Sequence, residues 1–257
     1  MTLNGTVNGY KIKSSVTAII QARMQSKRLP GKAMLNLAGK PILYHVIERT
    51  KAIEHVDRVV LATSIGEENE PLIALATSMG IETYAGSQDN VLERYYIASE
   101  KFGGEYIVRV TADNPFTDVE YASMIVDIAL ESKSDLSSPV NLPLGAAVEV
   151  IKKDALHQAY EMSSEPFHFE HVTPFIKEHP ELFSIERTPV KIKKAAAKIR
   201  LTVDTPEDYK LASILYDNLY KGSPFPLSDI LNYASEYPEI IKINSKIKQR
   251  SAVHSSS

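Results

Sequence analysis

The sequence predicts an α/β fold of three layers, in which a mostly parallel β-sheet is covered by helices on both faces. Short apolar runs rich in β-branched residues alternate along the chain with longer segments of helical periodicity. The first run, Val16 to Ile20, contains no charged residue, as expected of a strand buried on both faces of a parallel sheet. Strands that alternate with helices indicate βαβ units, and therefore a parallel sheet.

The individual elements follow from apolar spacing, helix caps and the positions of glycine and proline. Pro41 suits a first helical turn, and Thr205 followed by Pro206 suits a helix cap and first turn. Strands are predicted over 16–20, 59–63, 82–85, 106–111, 135–138, 148–151 and 200–204. Helices are predicted over 41–50, 67–79, 91–102, 119–131, 153–162, 169–177, 205–218 and 228–237.

The regular alternation is interrupted between residues 139 and 189, which we interpret as an excursion from one domain spanning residues 16–245. The polar segments 1–15 and 246–257 have the composition of disordered tails. The sequence therefore predicts a single α/β domain with one insertion or flap.

Composition excludes several functional classes. Lys and Arg number 29 against 32 Asp and Glu, so no general basic surface indicates nucleic-acid binding. The absence of cysteine excludes disulfides, thiolate nucleophiles and cysteine-ligated zinc. No run approaches the roughly 20 apolar residues of a membrane span, and residues 1–15 lack the apolar core of a signal peptide. We expect a cytoplasmic protein that binds neither nucleic acid nor membrane.

A cation-rich loop follows the first strand, where α/β folds place ligands. Its four cations are Arg23, Lys27, Arg28 and Lys32. Their like charges would repel each other unless an anion lay among them, so the loop indicates a site for phosphate; a solvated basic loop is the alternative. Ala33 after Gly31-Lys32 does not fit a P-loop, and G-x-G-x-x-G is absent.

Two aspartates end predicted strands and are therefore expected on the ligand side of the sheet. Asp113 precedes Pro115, and Asp204 precedes Pro206. Carboxylates so placed, completed by phosphate oxygens, suit Mg²⁺. As residues alone, Asp204 is equally well explained as a helix-start signal, and Asp113 is compatible with either a metal-binding or a structural role.

Five segments, in order, resemble the motifs of the cytidylyltransferases that make CMP-sugars. Residues 21–32 resemble the signature A-R-x-G-S-x-R-L-P-G-K, and the other four segments are 86–95, 109–115, 170–174 and 201–208. The family includes CMP-N-acetylneuraminate synthetase, 3-deoxy-manno-octulosonate cytidylyltransferase and, most similar, the spore coat polysaccharide biosynthesis protein F group. The resemblance implies a nucleotide-diphospho-sugar transferase-like, Rossmann-like fold, usually dimeric through the excursion.

The resemblance also implies a reaction and a site. An acceptor hydroxyl attacks the α-phosphate of CTP, and pyrophosphate leaves. The implied catalytic residues are Arg23, Lys32 and Asp113, and the implied Mg²⁺ ligands are Asp113 and Asp204. The implied nucleotide- and phosphate-binding residues are Ala22, Arg23, Ser26, Lys27, Arg28, Lys32, Ser87 and Asp89.

Glu149, Glu170 and His171 are the candidates for binding the acceptor, which we expect to be a sugar acid or related small molecule used for surface polysaccharides or glycoconjugates. From the residues alone, His171 is compatible with a base, a metal ligand or a hydrogen-bonded structural histidine. Two other functions stay open: a nucleotidyltransferase with another nucleotide or acceptor, and a non-catalytic nucleotide-binding or glycosyltransferase-like protein.

Gln25 departs from the family pattern, which has glycine at this place. A side chain there would obstruct the phosphates or require a positive φ, which glutamine tolerates poorly. Either the loop bends differently or the activity is altered, and Gln25 is the one residue that favours the non-catalytic alternative.

Overall fold

A seven-stranded β-sheet forms the centre of the computed structural model, which describes residues 14–194 and 196–248 together with the backbone of residues 6–7 and 10–11. Its strands, numbered in chain order, are β1 Val16–Gln21, β2 Arg58–Ser64, β3 Glu82–Gly86, β4 Tyr106–Thr111, β5 Leu136–Val140, β6 Glu149–Lys152 and β7 Ile185–Pro189. Their spatial order is β7-β5-β6-β4-β1-β2-β3.

The sheet is parallel except at β6, which runs antiparallel to both of its neighbours, β4 and β5. Residues 16–20 of the central strand β1 are all buried, because helices cover both faces of the sheet. The prediction of a mostly parallel sheet is therefore confirmed.

Nine α-helices flank the sheet within the described part of the chain. They are α1 Ile42–Lys51, α2 Glu70–Ser78, α3 Val91–Phe102, α4 Val119–Ser132, α5 Lys153–Met162, α6 Pro166–His171, α7 Pro174–Glu178, α8 Pro206–Leu219 and α9 Leu227–Glu236. One hydrophobic cluster joins the sheet to α1, α2, α4, α8 and α9, and a second joins its opposite face to α3, α5, α6 and α7. These two clusters confirm the three layers.

The sheet order reverses at β1, which makes this strand the topological switch point of the sheet. From β1 the chain passes through α1 to β2 on one side, then through β3 and α3 to β4 on the other side of β1. Because β1 and β4 are neighbouring parallel strands, the loops that follow them emerge side by side at the carboxyl edge. Open α/β sheets bind ligands at such a switch point.

The predicted strand over 200–204 is wrong, and the difference positions the site. The segment is extended but forms only an isolated bridge, from Arg200 to Leu144. Its Leu201 and Val203 amides donate to the carbonyls of Leu144 and Asp113, both at 2.8 Å. Because these carbonyls lie beyond the ends of β5 and β4, no ladder continues, and the segment instead crosses the carboxyl edge beside Asp113.

Gly145 makes this crossing possible. Its φ is 96°. A Cβ on Gly145 would lie 2.5 Å from the backbone nitrogen of Thr202, far inside van der Waals contact. Only glycine fits both the backbone conformation and the close approach.

The segment over 139–189 departs from its predicted elements in two places. The helix predicted over 169–177 is divided into α6 and α7, because Pro174 has no N–H with which to continue a helix. The strand β7 was not predicted; its segment mixes charged residues with a terminal proline. As a result, the expected excursion contributes β6 and β7 to the central sheet.

The predicted disordered tails fall largely outside the described residues. Within 1–15, residues 6–7 and 10–11 form a short antiparallel pair, and within 246–257 only residues 246–248 are described. In the part of the chain that the structure describes, no helix has the length and apolar character needed to cross a membrane.

Candidate active site

A lysine bridges the two aspartates at the carboxyl edge of the sheet. The Lys32 ammonium donates to Asp113 Oδ2 and to Asp204 Oδ1, each at 2.8 Å. The hydroxyl of Thr111, the last residue of β4, donates to Asp113 Oδ1 at 2.6 Å. The structure thus brings together one cation of the loop and both predicted metal ligands, which are separated by 91 positions in the numbering of the chain.

Asp204 is surrounded by further cations. Its Oδ2 lies 3.2 Å from Arg28 Nη2 and 2.9 Å from Arg200 Nη2. Arg200 also binds Asp208 in a two-pronged contact, from Nε to Oδ1 at 2.9 Å and from Nη2 to Oδ2 at 3.0 Å. Asp208 in turn accepts the backbone amide of Asp204 at 3.0 Å. Arg200 and Asp208 therefore hold Asp204 at both its side chain and its backbone.

The ion pairs shift the pKa values of their members. Burial alone would raise the pKa of Asp113, but the Lys32 ammonium outweighs it and the pKa is lowered. Burial alone would lower the pKa of Lys32, yet the two aspartates outweigh it and the pKa is raised. The lysine is charged and the carboxylate ionised at neutral pH.

Backbone contacts fix the loop that carries Lys32. Gly31 has φ 67°, a left-handed conformation suited to glycine, and its amide donates to the Met24 carbonyl at 3.0 Å. The Met24 amide donates to the side chain of buried Asn69 at 2.9 Å. Ala22 is buried and bonds to the Ala62 carbonyl at 3.2 Å. The loop is therefore closed on itself and anchored to the segments around β2.

The other residues predicted to meet the nucleotide lie around this loop and the loop after β3. Arg23 and Lys27 are exposed, and Ser26 accepts the Leu29 amide at 3.4 Å. Ser87 accepts the Asn90 amide at 3.2 Å, and Asp89 is exposed. The structure places these side chains on the ligand edge; their contacts with a nucleotide stay predictions.

The side chain of Gln25 contacts the loops after β2 and β3. The φ angle of Gln25 is not positive; the positive φ in this loop is at Gly31. The side-chain amide donates to Glu68 at 3.0 Å and accepts from Gln88 at 3.0 Å. Gln25 thereby links the loops after β1, β2 and β3, so the loop accommodates it without a positive φ.

Glu149 belongs to a separate polar cluster on the face of the sheet covered by α3. Because β6 runs antiparallel, Glu149 lies directly opposite Arg109 of β4, whose Nη1 donates to it at 3.1 Å. Thr173 donates to Glu149 at 3.0 Å, and Lys177 forms an ion pair with it. Burial would raise the pKa of Glu149, but Arg109 and Lys177 outweigh it and the pKa is lowered.

The other two acceptor candidates lie at the end of α6. Glu170 is exposed, whereas His171 is partly buried, and burial lowers its pKa. The next residue, Val172, has φ 72° and ψ −54°, and the Thr173 amide donates back to the His171 carbonyl at 2.9 Å. This γ-turn of positive φ is a strained conformation for a β-branched residue.

The sequence analysis did not identify the residues that hold other site residues in position. Arg200 stands one position before the fifth motif, and Asp208, the last residue of that motif, received no role of its own. Arg109 carried a signal, since a cation in the apolar strand 106–110 requires a partner. Its partner Glu149 is found only once the antiparallel register is known.

Asp113 and Asp204 are suitably placed for a divalent metal. Their carboxylates converge on one cation, the Lys32 ammonium. Mg²⁺ accepts one or two carboxylates and completes its shell with water and phosphate oxygens. Among the residues that the structure describes, no group of three or more His, Asp or Glu side chains is placed to hold a metal ion.

Comparisons with known proteins identify the family. The family model described as cytidylyltransferase matches residues 17–229. The spore coat polysaccharide biosynthesis protein SpsF of Bacillus subtilis is 31% identical over 231 residues, covering 88% of this chain and 96% of that protein. The 3-deoxy-manno-octulosonate cytidylyltransferase of Geobacter sulfurreducens is 34% identical over 106 residues, covering 40% of this chain and 41% of that protein. A cytidylyltransferase structure from Leptospira borgpetersenii superposes with a TM-score of 0.84 at 26% identity, covering 92% and 99% of the two chains.

Proposed function

The chain belongs to the cytidylyltransferase family and is a nucleotidyltransferase, and from this premise we propose that it transfers CMP from CTP to a small sugar acid or related acceptor. The acceptor hydroxyl forms a bond to the α-phosphorus while the bond to the β-phosphate oxygen breaks, and pyrophosphate leaves. The observation that carries the proposal is the Lys32 ammonium held between Asp113 and Asp204 beside a cationic loop.

The loop residues supply charge to the triphosphate. Lys32 and Arg28 already reach the carboxylate pair, and Arg23 and Lys27 are exposed on the same loop. Phosphoryl-type transfer requires mainly positioning and neutralisation of charge, because little covalent chemistry falls to the protein. We assign these four cations to the triphosphate and to the departing pyrophosphate.

Mg²⁺ is the proposed cofactor, and Asp113 and Asp204 are the side chains that would hold it. When bound, it would act as a Lewis acid on phosphate oxygens and orient them. The donor set supports this choice, since both groups are carboxylates and the Lys32 ammonium lowers the pKa of Asp113 against the effect of its burial. Thr111 orients Asp113, and Arg200 orients Asp204.

The cluster around Glu149 is the proposed acceptor side. Arg109 lies two residues before Thr111 on β4, so their side chains share one face of the sheet, about 7 Å apart along the strand. Glu149, whose pKa is lowered by Arg109 and Lys177 against the effect of burial, is assigned as an ionised hydrogen-bond acceptor for a sugar hydroxyl. We assign Glu149 to the acceptor, with Glu170 and His171 beside it.

The proposal extends to the biological setting, which rests on the named relatives. SpsF of Bacillus subtilis takes its name from spore coat polysaccharide biosynthesis. We propose a similar role in surface polysaccharide or glycoconjugate synthesis, with a cytoplasmic homodimer that contacts through residues 139–189. Light scattering on the purified chain tests the dimer.

Pyrophosphate release tests the function directly. The protein is incubated with Mg²⁺, each of the four nucleoside triphosphates and a panel of sugar acids, sugar phosphates and phosphonates. We expect release with CTP and a sugar acid, and a loss of at least about a hundredfold in Asp113→Asn. The matched control Asp127→Asn changes a half-exposed carboxylate on α4 and should stay active. CTP binding without pyrophosphate release on any acceptor favours the non-catalytic alternative.

A further inference from the structure

The carboxylate pair is already neutralised by side chains of the protein. Lys32 contacts both Asp113 and Asp204, and Arg28 and Arg200 contact the second oxygen of Asp204. The remaining oxygen, Asp113 Oδ1, accepts the hydroxyl of Thr111. Every oxygen of the pair therefore has a partner, and since Arg200 also binds Asp208, three cations face three carboxylates.

A divalent metal and the Lys32 ammonium compete for one place. The ammonium lies 2.8 Å from an oxygen of each carboxylate, whereas Mg²⁺ binds oxygen at about 2.0–2.1 Å. Both cations cannot lie between the same two oxygens without strong mutual repulsion. Metal binding to the nucleotide-free protein therefore requires the displacement of Lys32.

Any movement of Lys32 would be confined to its side chain, because hydrogen bonds hold the loop backbone. The Lys32 amide is held by the Leu29 carbonyl at 3.2 Å, and the Gly31 amide by Met24. The backbone is thus fixed, so displacement of the ammonium from the aspartates would take place by rotation of the four-carbon side chain. A triphosphate bound against this loop would supply the anionic partner that replaces them.

We propose that Lys32 is an internal counter-ion that passes from the carboxylate pair to the triphosphate, so that metal and nucleotide bind cooperatively and each binds weakly alone. This inference rests on the proposed function for the identity of the triphosphate. Its central consequence is unusual for a cationic site residue: removing Lys32 strengthens metal binding to the free protein while it weakens nucleotide binding. Coupling of this kind is reciprocal between the two ligands.

Manganese binding to the nucleotide-free protein tests the proposal. Mn²⁺ alone is titrated into the full-length chain, and free Mn²⁺ is followed by electron paramagnetic resonance. We expect Lys32→Met to bind Mn²⁺ about tenfold or more tightly than the wild type. Lys27→Met removes the same charge from the same loop at an exposed position, and its metal affinity should change by less than about twofold. Equal or weaker binding by Lys32→Met overturns the proposal, as does an equal gain in Lys27→Met.

Two further arms locate the effect and separate it from the proposed function. Adding Asp113→Asn to Lys32→Met should abolish the gain, and an undiminished gain would contradict the proposal by placing the metal elsewhere. Calorimetry of CTP with EDTA or with Mg²⁺ should show a smaller metal effect in Lys32→Met than in the wild type; an unchanged effect also overturns the coupling. The Mn²⁺ titration contains no nucleotide, so it stands even if pyrophosphate release fails. Lys32→Gln provides the same comparison should Lys32→Met not fold.

Discussion

Replacing Arg200 by methionine should destabilise the fold well beyond the loss of a surface ion pair. Arg200 and Asp208 make two hydrogen bonds, at 2.9 and 3.0 Å, and their side chains are 8% and 0% exposed. In Arg200→Met, Asp208 keeps the Asn244 amide and two backbone amides but loses its only nearby positive charge among the contacts described. A fully buried carboxylate would then be left without a cationic partner.

The size of the effect follows from this burial. Breaking a buried pair by removing one partner costs about 3–5 kcal/mol, because the other charge is left uncompensated. Arg58→Met is the matched control. Arg58 pairs with Glu82 at 3.3 Å, but the two side chains are 45% and 50% exposed, so about 0–1 kcal/mol is expected. Against a total of about 5–15 kcal/mol, the Arg200 loss leaves a marginal fold.

Urea unfolding followed by circular dichroism measures both free energies at pH 7. The difference in the free energy of unfolding between the wild type and Arg200→Met should also become smaller at acidic pH. The folded pKa of Asp208 is lowered, since its bonds to Arg200 and Asn244 outweigh burial, so its stabilisation is complete above the ordinary value of 3.8 and declines as pH falls through the lowered value. A loss in Arg200→Met no larger than in Arg58→Met would refute the reasoning.

Three smaller effects are expected. Burial lowers the pKa of His45 from 6.5 to about 4, so the unfolded chain is protonated first as the pH falls. The free energy of unfolding of the wild type, measured with urea, should therefore decrease by up to about 3 kcal/mol between pH 6.5 and 4. His45→Gln should not show this decrease. Tyr95→Phe removes a buried hydroxyl that bonds to the Ile19 and Val110 carbonyls and should cost about 1–3 kcal/mol in the same assay. Gln25→Ala should speed amide exchange over residues 22–31 about fivefold by mass spectrometry, whereas Gln158→Ala on α5 should leave it unchanged.

Local patterns predict those parts of the molecule that depend on neighbouring residues. The uncharged composition of residues 16–20 correctly predicts a strand that is buried along its whole length. Thr205 and Pro206 correctly predict the start of α8, where Thr205 and Asp208 form a capping box. Asp113 could be placed at the ligand edge because it follows a buried strand. These features need no knowledge of distant contacts.

The features that escaped prediction depend on contacts between distant segments. Residues 200–204 have strand composition, but their partners are loop carbonyls at Leu144 and Asp113, so no ladder forms. The pairing of Glu149 with Arg109 follows from the antiparallel register of β6. The contacts of the Gln25 side chain depend on loops that follow two other strands.

The bridge made by Lys32 has a consequence for how the chain matures. Its partners Asp113 and Asp204 lie 81 and 172 positions further along the chain. Asp208, which helps to hold Asp204, is in turn bound by Asn244, 36 positions beyond Asp208. During translation, a chain whose Asn244 has not yet left the ribosome lacks a complete site, even if its β-sheet has already formed. Nucleotide would therefore stabilise only finished molecules, and protection from protease by nucleotide would distinguish full-length chains from truncated ones.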